Sequence, residues 1–182
     1  MTSAMIAFPC LGQGKTAGGP DGDPAAENAA ASATGNWEMG FHLGTLLPNQ
    51  VSGVSEIMGL GGVRGGMRLG PNGWLEAGFI SGNGDGQQWK NIVTNLRMDV
   101  PVENLVGIAM VGFDVVQSKG PDEGGNINFG GHVGAGIQAV MGTNVWLRTD
   151  MKFGFSPGTS LYVGFGMTYR FVDDGPGGGT PK

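Results

Sequence analysis

His42 and His132 are the two imidazoles of this chain, so any general-base chemistry would fall to one of them. A serine hydrolase needs a hydroxyl beside an imidazole that a carboxylate orients. Ser52, Ser55, Ser118, Ser156 and Ser160 fall in or beside predicted connections, and Ser81 has outward parity at a strand end. No serine therefore stands next to a histidine on one face, and the chain reads as a non-enzyme. His42 or His132 with Glu38 or Asp114 could ligate a metal, but hydrogen-bonded imidazoles in a polar interior are the plainer reading, and no cofactor is expected. Gly14-Lys15-Thr16 matches the end of a phosphate-binding loop, yet Pro9 stands where that motif needs its first glycine, and no strand precedes it. The acidic groups Asp85, Asp122 and Glu123 could hold divalent cations at a lipopolysaccharide surface. They lack the ligand spacing of a calcium loop and read better as solvated turn residues.

The other charged residues carry more information. Arg64, Arg68, Arg97, Arg148, Lys152 and Arg170, six of the ten basic residues, share one parity with Glu38, Glu76, Asp99, Asp114 and Asp150. A solvated face would show lysine, serine and threonine. A narrow interior needs near-balanced charge, because an unpaired buried ion costs several kcal/mol. Arginine suits it, since a guanidinium pairs bidentately with a carboxylate. These eleven residues are expected to form a charge network filling a lumen, and rearranged pairs within it would offer a gated path.

The elements that place them follow from a period of two. In 144–171, Val145, Leu147, Thr149, Met151, Phe153 and Phe155 alternate with Trp146, Arg148, Asp150, Lys152 and Gly154. After a break at Ser156–Ser160, Leu161 to Phe171 alternates with Tyr162, Gly164, Gly166, Thr168 and Arg170. Such alternation means strands. The same reading gives earlier strands at about 36–47, 56–69, 74–81, 88–100, 105–117 and 126–140, eight in all. Connections after the first, third, fifth and seventh strands look longer than the tight turns after the second, fourth and sixth, with 82–86 read as a loop. Such asymmetry with an even count puts both termini on the short-turn side.

Composition narrows the class. Glycine is abundant at 38 of 182 residues, and only 14% of residues are charged, against roughly 25% in soluble domains. Mean hydropathy is near zero and no run approaches the ~18 apolar residues of a spanning helix. The net charge of −5 and the lack of a basic stripe argue against nucleic acid. The lone Cys10 excludes an internal disulfide and a cysteine zinc site. Residues 1–35 read as a flexible segment, either an unstructured arm or the remnant of a signal peptide around 4–11 followed by a linker. Residues 172–182 read as a flexible Gly/Pro-rich tail.

Periodicity alone leaves two eight-stranded barrels open: a soluble, ligand-binding barrel with its apolar face inward, and a membrane barrel with that face outward. Charge placement, loop asymmetry and aromatics near strand ends (Trp37, Phe79, Phe129, Phe155, Phe171) favour an all-β, antiparallel up-and-down transmembrane barrel with a filled polar interior.

The run Leu161 to Phe171, alternating and closing on Tyr169-Arg170-Phe171, resembles the C-terminal targeting signal of bacterial outer-membrane barrels. The body, including Phe129-Gly130-Gly131-His132-Val133-Gly134-Ala135-Gly136, resembles the small barrels of the OmpA membrane-domain, OmpX and OmpW type. The resemblance implies a Gram-negative outer-membrane protein with periplasmic termini, surrounded by lipid and lipopolysaccharide and assembled by the barrel-assembly machinery. It implies a structural, surface-interaction or scaffold role, with a partner protein in a larger envelope complex left open. A narrow porin-like channel for small or hydrophobic solutes is the alternative. Unlike the typical signal, the aromatic is not terminal, and no peptidoglycan-binding domain follows the barrel in this sequence.

Overall fold

A computed structural model describes residues 35–171, except 52, 103–104 and 122–123. The proposed N-terminal segment, Cys10, Asp122, Glu123 and the C-terminal tail lie outside the described residues. Eight strands run β1 (Trp37–Asn49), β2 (Met58–Arg68), β3 (Gly73–Gly84), β4 (Gln87–Val102), β5 (Leu105–Lys119), β6 (Asn126–Val140), β7 (Val145–Gly154) and β8 (Thr159–Phe171). Each pairs antiparallel with its sequence neighbour, and β1 pairs with β8 from Trp37↔Phe171 to Asn49↔Thr159, closing the barrel. Closure leaves no sheet edge with unpaired backbone groups, which is what allows strands to cross a lipid bilayer.

The strands sort their side chains as the period of two requires. The outward face carries Leu43, Ile92, Val111, Phe129 and Phe165, each more than half exposed. Among the described strand residues, the charges on that face are Lys90 and Lys119, side by side where Gln88 pairs Lys119 and Lys90 pairs Gln117. Both sit at the end of the barrel that holds the β1–β2 and β5–β6 connections, here called the loop end.

One expected connection is absent. Gly82-Asn83-Gly84 continues β3, and the chain reverses over Asp85-Gly86 alone. Both turn residues have positive φ, 46° and 76°, the geometry that joins two right-twisted strands in two residues and that Asp-Gly favours. The loop asymmetry is correspondingly narrower than the sequence suggested: it rests on the β1–β2 and β5–β6 connections, not on a loop after β3.

The β1–β2 connection turns back into the barrel mouth. Val51 and Val54 pair there (Val54 N to Val51 O, 3.2 Å) and are 6% and 2% exposed. Gln87 Oε1 accepts from Ser55 N at 3.0 Å and holds this strap down. Below it Leu46, Met58, Leu60, Ile80, Trp89, Val93, Val116 and Tyr162 form one apolar cluster inside the barrel. The interior is filled, as expected, but not polar throughout: the loop end is apolar and the opposite end is charged.

Candidate functional site: the charged lumen

The charged end of the lumen is built by inward residues of six strands. Glu76 on β3 is its centre, 1% exposed. It accepts from Arg97 and Arg148, from Arg148 again through Nη2 (3.2 Å), and from Asn95 Nδ2 (3.1 Å). Glu38 on β1 binds Arg97, and its Oε2 also accepts from Arg170 Nε at 3.2 Å. Asp99 Oδ2 accepts from Arg97 Nη2 and Arg170 Nη2, both at 3.1 Å. Asp150 accepts from Arg148 Nε (2.7 Å) and Arg64 Nη1 (2.5 Å). Four guanidiniums and four carboxylates thus form one continuous network, and each carboxylate meets two guanidiniums, as charges removed from water require.

Tryptophans complete this layer. Trp74 and Trp146, each 2% exposed, point inward. The Arg170 guanidinium lies 4.9 Å from the Trp74 ring centroid and 4.3 Å from that of Trp146, and Arg97 also lies 4.9 Å from Trp74. Indole faces attract cations that water cannot reach. Three of the four tryptophans, Trp74, Trp89 and Trp146, fill the lumen; the alternation over 144–171 already puts Trp146 in the series of Arg148 and Asp150, whereas the inward placement of Trp74 and Trp89 went unread in the sequence. Their parity was the available signal, since each alternates in step with inward charged or polar residues.

Three of the residues assigned to the network, Arg68, Lys152 and Asp114, stand apart from it. Arg68 caps the β2–β3 turn instead, donating to Gly70 O (3.0 Å) and Pro71 O (2.7 Å). It is the last residue of β2, so its long side chain reaches the turn carbonyls before any lumen carboxylate. Lys152 is buried and lies within salt-bridge distance of no carboxylate among the described residues. It lies on the loop-end side of the guanidinium network, beside a small cavity.

Asp114 belongs to a separate group with His132 and two asparagines. Its carboxylate lies 2.6 Å from His132 Nδ1 and accepts from Asn91 Nδ2 at 2.8 Å, while His132 Nε2 lies 2.7 Å from Asn95 Oδ1. His42 packs edge-on against Tyr162, with ring centroids 6.0 Å apart, and neither of its nitrogens has a hydrogen-bond partner among the described residues. Neither histidine bonds a serine, and among the described residues no three of His, Cys, Asp and Glu converge as metal ligands would. Tyr169 and Phe171, assigned to the targeting signal, lie on the outward face with rings 5.1 Å apart.

Inward glycines make room for these groups at a small radius. A Cβ on Gly44 would lie 2.6 Å from the Tyr162 ring and hydroxyl, one on Gly66 2.9 Å from Glu38 Cγ, and one on Gly136 2.7 Å from Asp150 Oδ1. We predict that Gly44→Val destabilises the folded barrel by about 1–3 kcal/mol, the usual cost of overpacking. Tyr162→Ala in the same chain should recover part of the loss. Urea unfolding followed by gel migration checks both, and an unchanged midpoint in Gly44→Val would contradict the packing described.

A closed eight-stranded antiparallel barrel with an apolar outer belt and a charge-filled lumen is the architecture of small outer-membrane β-barrels, and this chain has that fold. Solved structures agree. Neisserial surface protein A matches with a TM-score of 0.66 at 10% identity, over 75% of this chain and 97% of that one. The N-terminal β-barrel domain of Pseudomonas aeruginosa OprF matches with a TM-score of 0.60 at 12% identity, over 75% and 98%. The outer-membrane enzyme PagL has a TM-score of 0.46 at 13% identity, over 74% and 99%. No family model matches the chain, and no curated protein does.

Proposed function

We propose that this protein is an integral barrel of a bacterial outer membrane with a non-enzymatic structural, surface-interaction or scaffold role. The observation that carries this reading is the closed lumen. The guanidinium–carboxylate layer with Trp74 and Trp146 fills one end, and the apolar cluster under the Val51–Val54 strap fills the other. A barrel of eight strands has no room for a wide channel beside such contents. The role then falls to what the barrel presents outside, its belt and its loops.

The outward belt suits lipid, and Lys90 with Lys119 at the loop end suits the phosphates of lipopolysaccharide, so we assign that end to the cell surface and the termini to the periplasm. Tyr169 and Phe171 close the outward face of β8, where the barrel-assembly machinery would read them. Against catalysis stand the engagement of His132 at both nitrogens by Asp114 and Asn95 and the packing of His42 against the Tyr162 ring, with no serine hydrogen-bonded to either imidazole among the described residues.

Planar-bilayer recording tests the closed lumen. Purified protein should show no discrete openings at moderate voltage. Regular unitary steps would overturn the scaffold reading in favour of a narrow channel.

A further inference from the structure

Over β3, β4 and β5 the outward wall turns from apolar to polar at the loop end. Outward side chains there fall into rows set by the strand register. The lowest of three rows is apolar: Phe79 pairs Ile92, Ile92 pairs Val115, and Val115 pairs Phe129. In the row above, Ser81, Lys90 and Gln117 stand side by side, and in the topmost row Asn83, Gln88 and Lys119 do. These neighbouring positions hold two cations, three carboxamides beyond the cations, and a hydroxyl, with no apolar residue among them.

Lys90 and Lys119 lie on the diagonal of this block, about 7–8 Å apart along the wall. The ion pairs among the described residues all lie in the lumen, so none of them neutralises either ammonium. Like charges on neighbouring strands repel, more strongly at the edge of an apolar belt than in water. An anion lying between them removes that cost. Beside them an open pocket of about 460 Å³ is lined by Asn83, Asp85, Gln87, Gln88, Lys119 and Pro121, within the roughly 300–1,000 Å³ of small-molecule sites. Gln88 Nε2 donates to Asn83 Oδ1 at 3.1 Å, a bond that uses neither the Asn83 amino group nor the Gln88 carbonyl. Those two groups with the Asp85 carboxylate set donors and acceptors together, as sugar hydroxyls require, since each both donates and accepts.

We propose that this block is a lateral binding site for the phosphorylated disaccharide head of lipopolysaccharide. A phosphate lies between the Lys90 and Lys119 ammoniums, ring hydroxyls meet Asn83, Asp85 and Gln88, and acyl chains run down the Phe79–Ile92–Val115–Phe129 row. Asp85 belongs to the turn above these rows, so its charge faces sugar rather than phosphate. A glycerophospholipid would match the lysines and the apolar row but leave the amide-lined pocket unused. Such a site deepens the surface role proposed above and rests on it, because lipopolysaccharide is met only if the loop end faces the cell exterior.

Native mass spectrometry of the detergent-solubilised full chain tests this, with diphosphoryl lipid A as the probe. One equivalent should be retained, and dephosphorylated lipid A and phosphatidylglycerol should each bind about tenfold more weakly. Lys90→Gln combined with Lys119→Gln should weaken lipid A by about tenfold. Asn83→Ala combined with Gln88→Ala should bring lipid A down towards phosphatidylglycerol, whose own binding stays unchanged. Heat-modifiable gel migration checks that each variant is folded, and where one is not, the wild-type comparison of lipids still decides. Equal retention of lipid A and phosphatidylglycerol by the wild type, or full retention of lipid A by the folded lysine variant, would overturn the proposal. Orientation is read separately: in a Cys10→Ser background, Asn83→Cys should react with an impermeant maleimide on intact cells. Labelling without selective binding overturns the ligand alone, whereas absent labelling overturns the surface assignment and this ligand with it.

Discussion

Glu76→Leu should lower the stability of the folded barrel by about 3–5 kcal/mol, the cost of breaking a buried ion pair from one side. The residue is 1% exposed and takes hydrogen bonds from Arg97, Arg148 and Asn95, so leucine leaves two guanidiniums and an amide without their shared acceptor. Arg97 retains Glu38 and Asp99, and Arg148 retains Asp150, which limits the loss. Glu76→Gln keeps an acceptor and loses the charge, and should cost less than leucine. Combining Glu76→Leu with Arg148→Met removes the stranded cation, so the double variant should be more stable than the two single losses add to. The comparison is urea unfolding in lipid vesicles, followed by the shift between heat-sensitive and heat-denatured gel bands. Additive losses would show that Glu76 and Arg148 are not one energetic unit.

A charge on the outer face should show the opposite geography. Leu43, near the middle of β1, is 66% exposed on the apolar belt. Arginine there should cost about 2–4 kcal/mol in a bilayer, the value near the midplane, whereas Ile127→Arg, at the loop end of β6, should cost about 0–1 kcal/mol. The physical origin is the loss of hydration, which grows with depth in hydrocarbon. Refolding yields and unfolding midpoints in vesicles of defined thickness measure it. Equal penalties at Leu43 and Ile127, or none at Leu43, would mean that this face does not meet lipid.

The parts of the molecule legible in the sequence are those a single strand can state. Alternation along 144–171 gives two strands and both of their faces, and the β6 boundaries fall where the pattern places them. The β3–β4 hairpin was hidden because Gly82, Asn83 and Gly84 carry little strand propensity, although Asp85-Gly86 is itself a hairpin signal. Partner choice in the lumen was hidden for a different reason. Arg64 meets Asp150 across 86 positions of sequence, and Arg97 meets Glu38 across 59. Such pairs depend on the stagger that closes the barrel, which no strand encodes alone. Lys152 shares parity with Arg148 and Asp150, yet ends on the loop-end side of their network. Parity assigned it to the lumen and could not assign it a depth. The apolar storey was likewise written in Leu46, Leu60, Ile80, Trp89 and Val116, whose inward parity was overshadowed by the charges below them.

The outward apolar face should lie in lipid while the inward face is sealed from it, and brominated-lipid quenching tests both halves at once. Trp37 is the outward tryptophan, 54% exposed, and the other three are 2–4% exposed inside the barrel. A Trp37→Phe parent folded into bilayers of mid-chain brominated phospholipid should keep nearly all its fluorescence. Adding Leu43→Trp to that parent should introduce emission that the bromines quench strongly. Strong quenching of the parent, or unquenched emission from Leu43→Trp, would contradict the account.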